Sequence, residues 1–310
     1  MPTPQDVMAK PGANALFMVF NLQGDEDALG PVKGLCARFG AIQRSMRNRF
    51  PDLEVSTVIG FGASAWTRLF PDAGTPQELE LFKEIRGDKH TAVSTPGDIF
   101  FHIRASRPDV CFELGSIFRE ALGDSVVHVD EVHGFRYFDS RAIIGFVDGT
   151  ENPGSADAAS FAVIGEEDES FEGGSYAFVQ KYLHEMSAWN GLSTEEQERA
   201  IGRRKFNDLE LGDEEKPENA HNAVTNIADE NGNELKIVRA NMAFATPSKG
   251  EYGTYFIGYA RTFSTTRKML ENMFIGAPKG NTDRLLDFSR AVTGTLFFVP
   301  SVELLEELAE

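Results

Sequence analysis

Cysteine is scarce: Cys36 and Cys111 are the only two in 310 residues, so there is no disulfide framework. They do not form a Cys-x-x-Cys pair, which removes a thiolate site for zinc, for dithiol redox work or for covalent cofactor attachment. Both read as buried, small apolar residues. Positive charge is also short. Lys and Arg number 30 against 48 Asp and Glu, and the net charge of −18 repels phosphate backbones and anionic lipid headgroups. Nucleic acid and membranes are thereby excluded as expected partners. No apolar run approaches the roughly 20 residues that span a bilayer. The N-terminal Met-Pro-Thr-Pro-Gln-Asp carries no basic stretch leading into an apolar one, so the expected location is the cytoplasm. Zinc-protease, phosphate-loop and Gly-x-Gly-x-x-Gly dinucleotide patterns are missing too, which removes those enzyme classes.

What is present is an alternation of strand-like and helix-like segments. Residues 15–22 read as a strand, and Asp25 to Asn48 places Val32, Leu35, Cys36, Phe39, Ile42 and Met46 at helical spacing. Residues 53–61 return to a strand-like run. A strand near 98–104, a helix near 109–121 and a strand near 125–138 complete a β-α-β-β-α-β order, a ferredoxin-like half. After a glycine-rich junction at 145–154 the pattern resumes with strands at 173–183, 235–242 and 253–260, helices near 265–274 and 282–290, and a closing strand at 293–299. The predicted class is α+β, with two ferredoxin-like halves built on antiparallel sheets, residues 1–140 and 141–310. The halves share no visible sequence similarity; the duplication rests on element order. Between the later strands, Ser193-Thr-Glu-Glu196 has the form of a capping box opening a helix that ends near Gly202. The polar stretch Leu211 to His221 then reads as a loop ending in one of six histidines.

The stretch with most chemical content is Gly145-Phe-Val-Asp-Gly-Thr-Glu-Asn-Pro153. Glycines flanking an acid allow positive φ or close approach of the backbone to a flat ligand, and they hold Asp148 at a fixed angle. Taken alone, an Asp-Gly pair equally suits an Asx turn between domains. The whole string resembles the Gly-x-x-Asp-Gly signature of the dye-decolourising peroxidases. The likeness continues through Asn219-Ala-His221, Val238-Arg-Ala-Asn-Met242, Gly280-Asn-Thr-Asp-Arg-Leu-Leu-Asp-Phe-Ser289 and Thr293-Gly-Thr-Leu-Phe-Phe-Val-Pro300. It covers most of the chain, and the length is similar to that of the bacterial B-type group.

This resemblance implies a haem peroxidase that uses hydrogen peroxide to oxidise organic donors, dyes and phenolics, by one-electron steps. It implies one non-covalent haem b per chain, held in the C-terminal half. His221 matches the axial ligand of the iron, and Asp283 the acidic partner of that histidine. A carboxylate at Asp283 would equally complement a helix N-terminus beside Thr282. Asp148 matches the proton-handling group facing peroxide, Arg239 its cationic neighbour, and Asn241 the third residue of that face. Residues two apart in a strand share a side, so Arg239 and Asn241 are expected in one pocket. Gly149, Thr150, Glu151 and Arg239 are expected cofactor contacts. Met242, Phe244, Phe256, Ile257, Met269, Met273 and Phe274 are candidate apolar walls, and Arg203, Arg204 and Lys205 candidate partners for the haem carboxylates. Clustered Trp189, Tyr182 and Tyr176 suggest a route for oxidising equivalents to bulky donors. The resemblance also makes a homo-oligomer plausible. A haem-binding or haem-handling protein, releasing iron from porphyrin with incidental peroxidase activity, is the alternative function.

Overall fold

The computed structural model describes residues 2–24 and 29–309. Its N-terminal half contains β1 (Asn14–Leu22), α1 (Gly30–Arg49), β2 (Ser56–Phe61), β3 (Ile99–Ala105), α2 (Pro108–Leu122) and β4 (Val126–Phe135). The first residues of the predicted first helix, 25–28, lie outside the described residues. The C-terminal half contains β5 (Ser175–His184), α3 (Thr194–Ile201), α4 (His221–Thr225), β6 (Val238–Arg239) and β7 (Met242–Thr246). It continues with β8 (Glu251–Ala260), α5 (Phe263–Phe274), β9 (Ser289–Ala291) and β10 (Thr295–Val299).

Each half forms a four-stranded antiparallel sheet with the same order. The N-terminal sheet runs β4-β1-β3-β2 and the C-terminal one β10-β5-β8-β7, so in both the fourth strand lies beside the first and the third separates first from second. The sheets meet at both edges through Phe135 opposite Ala243 and Phe61 opposite Phe298, closing eight strands into a ring. Period-two alternation then sorts the side chains. Phe17, Val19, Val58, Phe100, Tyr255, Ile257 and Phe297 fill the interior of the ring. Leu16, Met18, Phe20, Phe101 and Ile103 face outward under α1 and α2, against Leu35, Phe39, Leu114 and Phe118.

Two predicted elements differ. Residues 282–290 form a short 3-10 turn, Arg284–Asp287, and the strand β9 instead of one helix, because the Asp283 side chain takes the Leu285 N–H and tightens the turn. The predicted strand 235–242 is broken after Arg239. The Asn152 side chain accepts from the Arg239 N–H at 2.9 Å and donates to its carbonyl at 2.8 Å, and the Asn241 side chain takes the Ile257 N–H at 3.1 Å. Side chains have replaced ladder partners there.

Candidate active site

A cavity opens on the outer face of the C-terminal sheet, bounded by β5, β8, α4, α5 and the segment 142–148. Its walls are mainly apolar, with Ile144, Phe146, Ile201, Phe256, Met269 and Met273 among them. His221, Asp148, Arg239 and Asn241 also line it.

His221 stands at the first position of α4 instead of in a loop, with Ala220 as the cap. Its place is set by contact between helices. The helix α3 opens with the predicted capping box, Ser193 Oγ accepting from the Glu196 N–H and Glu196 Oε2 from the Ser193 N–H. It closes at Gly202, in the left-handed region at φ +90°. A Cβ at Gly202 would sit 1.7 Å from Asn222 Oδ1, so only glycine lets the residue after His221 pack there. His221 Nδ1 lies 2.7 Å from Asp283 Oδ2, and Asp283 is fully buried. The other oxygen, Oδ1, accepts from the Leu285 N–H at 2.9 Å. One Asp283 oxygen thus caps a turn and the other contacts the imidazole. With Nδ1 engaged, Nε2 is the nitrogen left for a ligand bond.

Asp148 reaches the same cavity from the glycine-rich turn, where Gly149 adopts φ +83°. Asn241 Nδ2 donates to Asp148 Oδ1 at 3.2 Å, and because Asn241 Oδ1 holds the Ile257 N–H, the carboxylate is tied to the backbone of β8. Arg239 forms no ion pair with a carboxylate among the described residues, and its buried Nε has no hydrogen-bond partner there. Burial pulls the Arg239 guanidinium below its ordinary pKa, while the Asp148 and Glu151 carboxylates act to raise it. A second opening, lined by Lys10, Arg136, Arg141 and Gly149, shares Asp148, Arg239 and Asn241 with the large cavity and so reaches the group from another side.

Several expected contacts fall elsewhere. Gly149 borders that second opening and not the large cavity; Thr150 is exposed; Glu151 accepts from Arg203 at 2.6 Å. Arg203 also pairs with Asp208, Arg204 with Glu198 and Glu215, and Lys205 donates to Gln197, so these three cations are engaged with protein partners. Of the proposed apolar walls, Phe256, Met269 and Met273 line the cavity. Met242, Phe244 and Ile257 point into the ring instead, and Phe274 belongs to the outer core. Trp189 is fully buried, its indole N–H donating to the Ile144 carbonyl, and the Tyr176 hydroxyl accepts from the Glu78 N–H.

The sequence reading missed Gln180, His184 and Thr254. Gln180, Tyr182 and His184 alternate along β5 on its cavity side as a polar row. Tyr182 donates to Gln180 Oε1 at 2.7 Å, and His184 bridges Ser289 Oγ and Thr254 Oγ1 at 2.7 and 2.9 Å. Gln180 Nε2 is buried without a partner among the described residues. The signal was available as three polar residues at period two.

A large apolar cavity, one imidazole braced by a buried carboxylate, and a separate acid-guanidinium-amide group define the class of a cofactor-dependent redox enzyme. The residues fit a haem: the cavity walls are mainly apolar, and Arg239 and Gln180, which line it, carry buried donors without a partner among the described residues. His184, the other imidazole in the wall, has both ring nitrogens hydrogen-bonded, which leaves His221 to ligate, and a lone imidazole suits a metal whose remaining positions come from a macrocycle. Residues 4–136 match the family "Dyp-type peroxidase, N-terminal" and residues 139–304 match "Dyp-type peroxidase, C-terminal". The chain belongs to the Dyp-type peroxidase family.

It is 50% identical over 305 residues to a dye-decolorizing peroxidase of Mycobacterium tuberculosis, covering 98% of this chain and 90% of that one. The crystal structure of a dye-decolorizing peroxidase from Bacteroides thetaiotaomicron superposes with a TM-score of 0.97 at 66% identity, over 100% of this chain and 99% of that one. A Rhodococcus jostii DypB variant in complex with heme gives a TM-score of 0.96 at 50% identity, over 99% of each chain.

Proposed function

We propose that His221 would hold the iron of a haem b bound in the large cavity, with Asp283 orienting it, and that Asp148, Arg239 and Asn241 handle peroxide. The chain is a haem peroxidase that uses hydrogen peroxide to oxidise organic donors. Haem, when bound, supplies the two-electron reduction of peroxide and the stepwise oxidation of donors. The protein supplies ligation, proton transfer and charge stabilisation.

Asp148 accepts the proton that peroxide loses and returns it to the departing oxygen, a general acid-base role. Asn241 keeps that carboxylate aimed, since its amide is fixed at both ends. Arg239 stabilises negative charge as the O–O bond separates, a role its lack of a carboxylate ion pair leaves open. Asp283 accepts from Nδ1–H of His221, which fixes the tautomer and increases the electron donation of Nε2.

The observation that carries this reading is the 2.7 Å contact of His221 with the buried Asp283 carboxylate, in the wall of the cavity that Asp148 also lines. Haem titrated into the purified protein should give a tight one-to-one complex with an intense Soret band. His221→Ala should lose the axial-histidine signature, and an unchanged spectrum would refute the assignment.

Small organic donors and hydrogen peroxide are the proposed partners, in the cytoplasm, with self-association into a homo-oligomer. Exposed Phe138 and Phe206, beside Arg141, support an association surface. No helix among the described residues is long and apolar enough to cross a membrane. Sedimentation of the purified protein tests the oligomer.

A further inference from the structure

The interior of the strand ring holds a group that peroxide chemistry at the cavity does not use. His102 on β3 and Tyr259 on β8 are both fully buried, one from each half, and His102 Nδ1 lies 2.9 Å from the Tyr259 hydroxyl. His102 Nε2 has no partner among the described residues. If the phenol donates to Nδ1, one buried polar group is left unsatisfied, the Nε2–H. The other tautomer would leave both the phenolic hydrogen and the Nε2 lone pair unmatched. The first arrangement is favoured on that count. Burial lowers the basicity of His102 and keeps Tyr259 protonated, so both rest neutral. Arg104, fully buried two residues along β3, disfavours charge on His102 further.

The pair is also stacked into an aromatic column. His102 and Tyr259 lie 6.1 Å apart at 18°, Phe17 stacks on His102 at 4.6 Å, and Tyr255 on Phe17 at 4.1 Å. Tyr259 sits one residue from Gly258, the register partner of Arg239, and pairs with Val238. Thr254 and Phe256 of the same strand line the cavity, so a single sheet layer separates this column from the cofactor site. The other aromatics singled out in the sequence lack a basic proton acceptor. Trp189 donates to a carbonyl, Tyr182 to an amide oxygen, and Tyr176 accepts from a backbone N–H.

We propose that Tyr259 and His102 form a buried, reversible redox site that holds one of the oxidising equivalents generated from peroxide. One electron leaves the Tyr259 ring for the oxidised cofactor, and the phenolic proton crosses the 2.9 Å bond to Nδ1. A neutral phenoxyl radical and a protonated imidazole result. When a donor supplies an electron, the proton returns and the phenol is restored. Arg104 destabilises the imidazolium and so favours that return. The inference rests on the haem-peroxidase reading above.

The test is freeze-quench electron paramagnetic resonance of the haem-loaded protein mixed with peroxide in the absence of donor. A tyrosyl signal is expected, narrowed by ring-deuterated tyrosine and reduced at least tenfold in Tyr259→Phe and in His102→Leu. Tyr255→Phe, in the same column but with no imidazole partner, should keep it. In the unsubstituted chain, labelling histidine with nitrogen-15 should reveal coupling of an imidazole nitrogen to the radical, which requires no variant to fold. A tyrosyl signal that survives Tyr259→Phe, or lacks the nitrogen coupling, overturns the proposal. So does a full Soret response to peroxide with no tyrosyl signal, which leaves the peroxidase reading intact. No Soret response at all would overturn both.

Discussion

The two sheets share one strand order and differ in what covers them. Over the N-terminal sheet the first crossover is α1, a 20-residue helix that lies flat with α2 and fills the outer face with Leu35, Phe39, Leu114 and Phe118. Over the C-terminal sheet the corresponding crossover is the irregular excursion from residue 185 to 241, broken into short helices, and only α5 takes a comparable place. The strand faces beneath differ in kind as well. Leu16, Met18 and Phe20 on β1 are apolar, whereas Gln180, Tyr182 and His184 on β5 are a polar row. One crossover fills a core and the other frames a cavity, with His221 delivered from the excursion itself. The same topology is a scaffold in one half and a site in the other, because the site needed a helix replaced by a segment that does not pack flat.

Substitutions can break or sharpen that contrast. The largest effect is expected at the peroxide-facing group: Asp148→Asn should slow the reaction with peroxide by roughly 10²–10⁴-fold. Arg239→Leu should slow it by roughly 10²–10³-fold. Both should leave haem uptake intact, as stopped-flow mixing of the loaded protein would show.

Next is packing. Phe101→Ala, under α1 and α2 and flanked by Phe20, Phe39 and Phe118, should cost about 3–5 kcal/mol of folding stability. Phe256→Ala, facing a cavity already open, should cost about 1 kcal/mol in the haem-free protein, since less packing is lost. Equal shifts in denaturant midpoint would remove the distinction between filled and open faces.

Acid sensitivity should be concentrated in the polar row. Burial lowers His184 from 6.5 to about 4. Between those values the unfolded chain binds a proton that the folded chain refuses, so stability falls as pH drops, by up to about 1.4 kcal/mol per pH unit. Buried His102 contributes with the same sign. His184→Gln should flatten the slope of unfolding free energy against pH; an unchanged slope would rule His184 out as its source.

A separate effect is expected at Asp283. Asp283→Asn, which keeps the cap on Leu285 but weakens the hold on His221, should reduce haem affinity about 10–100-fold by equilibrium titration.

Much of this was legible along the chain. Helical and strand periodicities located α1, α2, α5 and most strands, because each is long enough for its buried face to recur. The capping box and Gly202 marked α3 at both ends. His221, Asp148, Arg239, Asn241 and Asp283 were identifiable through a resemblance carried by short strings, not through their own spacing. What periodicity misread were the segments where a side chain satisfies a backbone group from far away. Asn152 interrupts the strand at Arg239, and Asp283 turns a predicted helix into a 3-10 turn.

Composition and local pattern by themselves determined the α+β class, the acidic surface and the position of most elements, since those depend on neighbours a few residues away. The closing of two sheets into a ring, the open face over β5 and β8, and the meeting of His102 with Tyr259 were decided only by tertiary structure. Each joins segments far apart in the chain, and burial gives such contacts their chemical meaning.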